Sequence, residues 1–346
     1  LGDIVYSTPT VVGKPMEMYN LYYSDVSYSE FYSLWKNRGI TVYVGANDGM
    51  LHAFKAGTFH EGDNPATLDE EHGWYSETED PATSEDLGAE RWAFIPFNLL
   101  PHLRWLRDPD YTHVFYVDLK PKVTDVRIFS DDSNHPNGWG TILIGGMRLG
   151  GGPYTLSEDF DGDGTIEAVE GSPGKATPWT FRSAYFVLDI TVPDNPVFLG
   201  EFTDPSLAFT TSYPAVSRLE ATKGFQNPED DHWYAVVGSG PTECDGSSNQ
   251  RGYLLMYDLN TLQLVQKTMT AESNAFMADP ITIDINLNYN TELAYIGETY
   301  NSGTLGKMKR LSPSKSADPA VFSYRYNPAL EPWPVTNLFS SPRPIT

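Results

Sequence analysis

A degenerate repeat runs through the 346-residue chain and constrains its fold more than any other feature. Each copy combines an apolar strand led by proline, a second strand that ends in glycine, and a third strand after a turn. The proline-led segments are STPTVV (7–12), TSYPAV (211–216), ADPITI (278–283) and the shortened SPRPIT (341–346). The segments that end in glycine are VYVG (42–45), ILIG (142–145), AVVG (235–238) and AYIG (294–297). A repeat of this kind predicts the blades of a β-propeller.

The third strand of each copy commonly follows a turn that contains glycine. Its copies read GMLHAFKAG (49–57), AYFVLDIT (184–191), GYLLMYDLNT (252–261) and GTLGKMKRL (303–311). Aromatic residues make up 13% of the chain, and this share, with 29 glycines and 26 prolines, is typical of strands joined by turns. We therefore expect an all-β fold, a modified β-propeller of mostly four-stranded antiparallel blades with loop insertions and quinoprotein-like motifs. Seven blades is one arrangement that the repeat allows.

Insertions make the spacing of the repeat irregular. Two long ones lie at about 58–90, which is polar and acidic and reads as a surface loop, and at about 150–180. Short helices are expected only at 27–39 and at 97–106, where Pro101 should interrupt the helix. We expect residues 1–346 to form a single propeller domain. Because the chain starts at Leu1 without a signal peptide, we interpret it as a segment of a larger secreted protein, with a last blade that is incomplete.

The charge of the chain argues against two classes of partner. It has 23 basic and 46 acidic residues, a net charge of −23. Binding to nucleic acid or to an anionic membrane surface needs clusters of lysine and arginine, so neither partner is expected. No apolar stretch is long enough to be inserted in a membrane. Cys244 is the single cysteine, which excludes an internal disulfide.

The second insertion contains DFDGDGTIEAVE (159–170), which matches the calcium-loop pattern D-x-[DN]-x-[DN]-G-x5-E at every fixed position. Carboxylate and carbonyl oxygens are the ligands that Ca²⁺ prefers. The predicted ligands are the side chains of Asp159, Asp161, Asp163, Glu167 and Glu170 and the carbonyl of Thr165. The alternative is an acidic solvated turn. Glycine and proline flank the segment and disfavour helices, so we expect a loop inserted between strands at 141–146 and 183–190.

Six stretches together resemble the C-terminal propeller domain of the PilY family, the tip-associated adhesins of bacterial type IV pili. They occur in the family's order and cover most of residues 1–216, while the later part keeps only the blade-like periodicity. The stretches are GDIVYSTPTVVG (2–13), VYVGANDGMLHAF (42–54), RWAFIPFNLLPHL (91–103), YTHVFYVD (111–118), WGTILIGGMRLGGG (139–152) and YFVLDIT (185–191).

The resemblance implies a nine-residue calcium loop of the pattern D-x-[DN]-x-D-x-x-x-[DE]. This pattern selects Asp159, Asp161, Asp163, the Thr165 carbonyl and Glu167, and leaves open whether Glu170 or a water completes the shell. It also implies a pilus biogenesis protein at the cell surface, located at the pilus tip or associated with the outer membrane. Such a protein acts in pilus extension and retraction, adhesion and twitching motility. Minor pilins would be its partners, together with a host or abiotic surface ligand that the sequence does not identify.

The sequence offers little catalytic chemistry. It contains neither H-E-x-x-H nor C-x-x-C, and its seven histidines are scattered, so we interpret His52 as a packed strand residue without partners. We therefore expect a non-enzymatic calcium-binding module. One alternative is a quinoprotein-type dehydrogenase propeller that uses pyrroloquinoline quinone. The other is a calcium-dependent lectin, for which Trp74, Trp139 and Trp179 are the aromatic residues to examine.

Overall fold

The computed structural model describes residues 2–67, 70, 72–77, 87–156, 179–220, 231–311 and 333–341. In this part of the chain, four antiparallel sheets of four or five strands follow one another, and two further strand pairs lie in insertions. Within each of the four sheets, strands that are successive in the repeat are neighbours. This is the strand order of propeller blades, so the predicted all-β fold of mostly four-stranded antiparallel blades is confirmed.

The first sheet and its insertion comprise six strands. They are β1 (Thr10–Val12), β2 (Thr41–Gly45), β3 (Leu51–Lys55), β4 (Thr58–Glu61), β5 (Gly73–Ser76) and β6 (Glu90–Phe94). The sheet has the order β1-β2-β3-β6, while β4 and β5 pair separately as a hairpin. The insertion at 58–90 is therefore not only a loop, as its acidic composition suggested. His60 stacks on Trp74 across this hairpin, with ring centroids 4.0 Å apart.

The second sheet and its insertion also comprise six strands. They are β7 (Lys122–Arg127), β8 (Trp139–Gly146), β9 (Tyr154–Leu156), β10 (Trp179–Phe181), β11 (Tyr185–Asp189) and β12 (Val197–Phe202). The sheet has the order β12-β11-β8-β7, and β9 pairs with β10 outside it. Since β8 and β11 are adjacent, the insertion between them joins two neighbouring strands of one blade, as predicted.

The third and fourth sheets follow the same scheme. The third contains β13 (Ala215–Glu220), β14 (Asp231–Gly238), β15 (Tyr253–Asp258) and β16 (Leu264–Met269). The fourth contains β17 (Phe276–Met277), β18 (Ile281–Ile283), β19 (Leu293–Tyr300), β20 (Leu305–Leu311) and β21 (Val335–Ser341). In the fourth sheet β17 and β18 both pair with β19, so together they take the place of one edge strand.

The described residues contain two short α-helices and three 3-10 helices. The α-helices are α1 (Tyr19–Tyr22) and α2 (Val26–Trp35), and the 3-10 helices are Phe97–Arg107, Pro136–Gly138 and Pro205–Leu207. Asp25 caps α2, since its carboxylate accepts the N–H of Tyr28 at 3.0 Å. The predicted segment at 97–106 is helical but 3-10 rather than α, and it continues through Pro101. Proline disfavours an α-helix interior because it lacks an amide donor.

Each pair of successive sheets encloses one hydrophobic core, and adjacent residues of one strand belong to different cores. In β8, Ile142 and Ile144 pack between the second and third sheets, whereas Leu143 packs between the first and second. In β14, Trp233 belongs to the same core as Ile142, whereas Tyr234 packs between the third and fourth sheets. Because successive side chains of a strand point to opposite faces of the sheet, one strand contributes to two cores.

The glycine at the end of the second strand is explained by close approach of the next blade. A Cβ at Gly45 would lie 2.3 Å from the carbonyl oxygen of Val117, which leads into the second sheet. A Cβ at Gly238 would lie 2.3 Å from the Cβ of Met277, in the fourth sheet. Both distances are far inside van der Waals contact, so a side chain at either position would push neighbouring blades apart.

A buried polar network joins α2 to the second sheet. The Tyr28 hydroxyl donates to Asp125 Oδ2 and the Thr141 hydroxyl donates to Oδ1, both at 2.7 Å. Arg38 Nη1 donates to the Thr141 hydroxyl at 3.0 Å and to the carbonyl of Thr191 at 3.3 Å. Burial and the charge of Asp125 raise the pKa of Tyr28, which keeps its hydroxyl a donor. The network therefore fixes α2 against β7 and β8.

Candidate metal loops

The predicted calcium ligands lie in the segment 157–178, outside the described residues. They are Asp159, Asp161, Asp163, Thr165, Glu167 and Glu170. The strands on either side are described, and they pair antiparallel with Leu156 opposite Trp179 and Tyr154 opposite Phe181. The positions at which the described chain stops and resumes are therefore direct neighbours in one strand pair, which we call the stalk (residues 154–156 and 179–181).

The stalk rests on the 3-10 helix at Phe97–Arg107. Arg104 Nη1 donates to the hydroxyl of Tyr154 at 2.7 Å, and its guanidinium carbon lies 5.2 Å from the centroid of that ring. The rings of Phe97 and Phe181 pack with centroids 5.4 Å apart. Both strands of the stalk therefore contact the same helix, which holds the base of the candidate calcium loop against the blade.

Glu201 fixes the start of that helix to β12. Its carboxylate accepts the backbone N–H of Phe97, the backbone N–H of Asn98 at 3.1 Å and the Asn98 side-chain N–H at 2.6 Å. Burial raises the pKa of Glu201, while these three hydrogen bonds act in the opposite direction. In turn, Asn98 Oδ1 accepts the N–H of Arg182, directly after the stalk, at 3.2 Å. The helix and the stalk are thus anchored to one blade edge.

A second candidate loop connects β18 to β19 and reads DINLNYNTE (284–292). Its spacing follows the nine-residue pattern given above, with Asn288 in place of the third aspartate. The flanking strands pair with Ile283 opposite Leu293, so Asp284 and Glu292 stand at the two ends of a hairpin loop. By this pattern the candidate oxygen ligands are the side chains of Asp284, Asn286, Asn288 and Glu292 and the carbonyl of Asn290.

The backbone of this loop turns back on its own polar side chains. The Asp284 carboxylate accepts the N–H of Asn288 at 3.2 Å and that of Tyr289 at 2.8 Å. Asn286 Oδ1 accepts the N–H of Asn288 at 3.1 Å. Leu287 and Tyr289 have positive φ angles of 54° and 74°, a left-handed conformation that is costly for bulky residues. The strained turn brings the oxygen-bearing side chains together and leaves Leu287 exposed.

The buried environment of the Glu292 carboxyl group favours a bound cation. Glu292 is only 2% exposed. Its Oε2 accepts the N–H of Ile285 at 2.8 Å, whereas Oε1 has no hydrogen-bond partner among the described residues. Burial raises the pKa of Glu292 to about 7, and the nearby carboxyl of Asp284 acts in the same direction. A bound cation would favour the ionised form and would occupy the oxygen that lacks a partner.

The donor set fits a hard cation. Side-chain carboxylates, amide oxygens and a carbonyl suit Ca²⁺, whereas zinc sites use histidine and cysteine. Among the residues that the structure describes, no group of three or more His, Cys, Asp or Glu could hold a metal ion. The 284–292 loop supplies two carboxylates, and its other side-chain oxygens are amides. This low charge predicts weaker calcium binding than at 159–170.

Sequence reasoning missed the 284–292 loop for a physical reason. From Asp284 to Asn290 polar and apolar residues alternate, which is the pattern of a half-buried strand. No glycine marks the turn, because Leu287 and Tyr289 themselves adopt the left-handed conformation. The signal that could have found the loop is the row of oxygen-bearing residues at every second position, closed by Glu292.

His52 lies in β3, as predicted, but it has partners. Its Nε2 lies 3.0 Å from Asp48 Oδ2, and its Nδ1 lies 2.5 Å from Glu90 Oε1. Glu90 belongs to β6, so the imidazole joins two neighbouring strands of the first blade. The interpretation as a strand residue is confirmed, and the expectation that it lacks partners is wrong.

The tryptophans proposed as sugar platforms differ in their placement. Trp139 is fully buried in the core between the second and third sheets, so it cannot present a face to a ligand at the surface. Trp74 stacks on His60 in the hairpin of the first insertion. Trp179 lies in β10 of the stalk. The three residues therefore belong to separate parts of the fold and do not form a common platform.

Comparison with known proteins places the chain among propellers. A family model described as the PilY1 beta-propeller domain matches residues 1–345. The type IV pilus biogenesis factor PilY1 of Pseudomonas aeruginosa is 27% identical over 332 residues, which cover 92% of this chain and 22% of that protein. A PilY1 homolog of Xylella fastidiosa is 25% identical over 323 residues, which cover 92% of this chain and 20% of that protein. The chain spans about a fifth of the length of these relatives.

A solved structure supports the same architecture. The crystal structure of the Pseudomonas aeruginosa PilY1 C-terminal domain matches with a TM-score of 0.52 at 24% sequence identity. The match covers 87% of this chain and 45% of that chain. At this identity the likeness bears on the fold. In the described residues, no helix has both the length and the apolar character that crossing a membrane requires.

Proposed function

The chain belongs to the PilY1 beta-propeller domain family, and we propose that it is a non-enzymatic, calcium-binding propeller of a type IV pilus biogenesis factor. It acts in the control of pilus extension and retraction, in adhesion and in twitching motility. Its place is the cell surface, at the pilus tip or in association with the outer membrane. Minor pilins are its assembly partners, and a host or abiotic surface is its adhesion target.

The observation that carries the calcium part of the proposal is the environment of Glu292. Its buried carboxyl group stands beside Asp284, and one of its oxygens lacks a partner among the described residues. Ca²⁺ would be held by Asp284, Asn286, Asn288, the Asn290 carbonyl and Glu292, and it would supply the positive charge that this loop lacks. The segment 159–170 would hold a second ion.

Contacts with the third blade explain how a cation at 284–292 would matter beyond its loop. The N–H of Thr291 donates to the carbonyl of Arg218 at 2.9 Å. The hydroxyl of Thr282, in β18, donates to the carbonyl of Val216, also at 2.9 Å. Both acceptors lie in β13, so ordering of the loop stiffens the junction of the third and fourth blades. A pilus partner that contacts this junction would respond to calcium.

The two alternative functions are a quinoprotein dehydrogenase and a lectin. A quinoprotein dehydrogenase is disfavoured because the curated relatives are pilus biogenesis factors. A lectin function is compatible with the propeller and does not compete with a role at the pilus.

The test uses the full-length protein in its own host. Asp284→Ala and Asp161→Ala alleles should leave a folded, secreted protein but change the number of surface pili and the twitching zone. Asp245→Asn is the matched control, because Asp245 is an acidic loop residue of the third blade, and its carboxylate accepts the N–H of Ser247. If both aspartate variants lose calcium binding but keep normal piliation and motility, the loops only stabilise the fold, and the regulatory role is refuted.

A further inference from the structure

A cavity of about 490 Å³ lies where α1, β7, β13 and the 284–292 loop meet. Its volume is in the range of small-molecule sites in proteins. Asp284 and Tyr289 of the 284–292 loop form part of one wall. We call the cavity the central pocket, and its lining combines aromatic rings, two acidic residues and two basic residues.

Five aromatic side chains line the pocket. Tyr23 and Tyr289 stack almost in parallel, with centroids 4.2 Å apart and planes 11° apart. Tyr19 lies 5.0 Å from Tyr289 and 6.2 Å from Trp233, measured between ring centroids. Tyr213 contributes a further ring to the lining. Each tyrosine or tryptophan in this lining combines an apolar ring with a polar group.

The buried indole N–H of Trp233 favours a bound ligand. Trp233 is 2% exposed and lines the pocket. Its indole Nε1–H has no hydrogen-bond partner in the described part of the chain. Buried tryptophan N–H groups normally find an acceptor, because desolvation without a hydrogen bond is costly. A ligand oxygen that reaches the indole nitrogen would supply that acceptor.

The charges in the pocket are balanced. Glu17, which accepts the hydroxyl of Thr124 at 2.7 Å, and Asp284 are acidic. Lys122 and Arg218 are basic, and Arg218 Nη1 donates to the carbonyl of Tyr289 at 2.9 Å. A phosphate or nucleotide site needs an excess of positive charge, which this lining does not provide. A purely apolar ligand would desolvate these polar groups without offering them a hydrogen bond.

We propose that the central pocket binds a neutral saccharide of one or two sugar units. A pyranose has an apolar C–H face that packs on aromatic rings and hydroxyl groups that both donate and accept hydrogen bonds. The Trp233 N–H would donate to a sugar oxygen, while Glu17 would accept from a hydroxyl group. This goes beyond the pilus function proposed above and does not depend on it.

The test titrates the purified chain, in calcium-containing buffer, with maltose, cellobiose, lactose and chitobiose. Calorimetry and tryptophan fluorescence report binding. Trp233→Phe keeps the ring but removes the N–H, so the affinity for the bound sugar should fall about tenfold, the effect of one hydrogen bond. Trp74→Phe is the matched control, because Trp74 lies in the first insertion, and it should leave the affinity unchanged.

Tyr213→Ala tests the same pocket if Trp233→Phe fails to fold. Tyr213 is partly exposed at the pocket, so its removal should preserve the fold and weaken sugar binding. Absence of saturable binding for all four sugars would overturn the proposal. Binding that neither pocket variant weakens, or a preference for inorganic phosphate over every sugar, would overturn it as well.

Discussion

Asp284 and Glu292 stand at opposite ends of one hairpin loop, and the carboxyl group of Asp284 adds to the burial that raises the pKa of Glu292 to about 7. Two acidic groups in this arrangement disfavour the ionised state of the pair. The backbone around them is held in a strained conformation at Leu287 and Tyr289. A bound hard cation would relieve this electrostatic cost.

Glu292→Gln removes the negative charge of this side chain but keeps its size. Without calcium, the melting temperature should stay equal to that of the wild type or rise, because a buried carboxyl group is replaced by a neutral amide of similar size. The rise in stability on calcium addition, about 2.7 kcal/mol at a free concentration one hundred times Kd, should be reduced. Calcium-dependent stabilisation identical to that of the wild type would contradict the assignment.

Asp161→Ala addresses the loop outside the described residues. Calorimetric titration of the wild type should reveal two classes of calcium site, with the tighter one at 159–170 because that segment carries more carboxylates. The variant should lose the tighter class and keep the weaker one. If the tighter class survives, the assignment of ligands at 159–170 is incorrect. Asp245→Asn serves again as the control.

Gly238→Ala should destabilise the contact between the third and fourth blades. The new Cβ would lie 2.3 Å from the Met277 Cβ and 3.0 Å from Ile296 Cδ1, and overpacking of this kind costs about 1–3 kcal/mol. Gly152→Ala is the control, because its nearest neighbour would be Phe209 Cζ at 3.9 Å, an ordinary contact. Urea unfolding of both variants measures the difference, and equal stabilities would refute the close-approach explanation.

His135 should make stability depend on pH. Its Nδ1 lies 3.0 Å from Asp132 Oδ1 and its Nε2 lies 3.0 Å from Asp189 Oδ2. Burial alone would lower the pKa of His135, but the hydrogen bonds and charges of Asp189 and Asp132 raise it above the ordinary value of 6.5. Because the folded-state pKa is raised, the stabilisation is complete below pH 6.5 and is lost as the pH rises through the folded-state value.

His135→Gln is the variant that measures this contribution. The difference in free energy of unfolding between wild type and variant should be largest in mildly acidic buffer and should shrink in alkaline buffer. Denaturant titrations across that range, with both proteins in the same buffers, give the difference directly. A difference that does not change with pH would show that the imidazolium is not the stabilising species.

Tyr28→Phe should weaken the network that fixes α2 to the second sheet. The change removes the hydroxyl that donates to Asp125 Oδ2 and leaves a buried carboxylate short of one donor, which costs about 1–3 kcal/mol. Tyr32→Phe is a suitable control, because the Tyr32 hydroxyl bonds an exposed carboxylate, that of Glu61. Thermal unfolding followed by circular dichroism compares the two, and equal effects would contradict a special role for Tyr28.

The repeat predicted the blades well because it records two strong constraints, side-chain alternation and the close approach at Gly45 and Gly238. The predicted starting residues of the proline-led strands are less accurate. The segment 211–216 was predicted to be a strand, but β13 begins only at Ala215. Pro214 has no amide to donate, and the N–H of Tyr213 donates instead to Asp279 Oδ1 at 2.7 Å.

The candidate sites were predicted less completely than the blades. A calcium pattern with aspartates and glycine is visible at 159–170, whereas the loop at 284–292 uses asparagines within an alternating pattern. The central pocket could not be predicted, because it brings together Tyr19, Tyr213, Trp233 and Tyr289 from distant parts of the chain. Such a lining depends on how the blades stack and not on any local motif.

The assignment of Ile142 and Leu143 to different cores limits how this chain can change length. Deleting or inserting one residue within β8 would exchange the two faces of the strand, so two cores would lose their fit at once. Turns between strands carry no such restriction, since added residues there leave both faces in register. Length variation should therefore concentrate at the strand connections, where this chain already carries its insertions at 58–90 and 150–180. A graft of foreign sequence should be tolerated at the same connections.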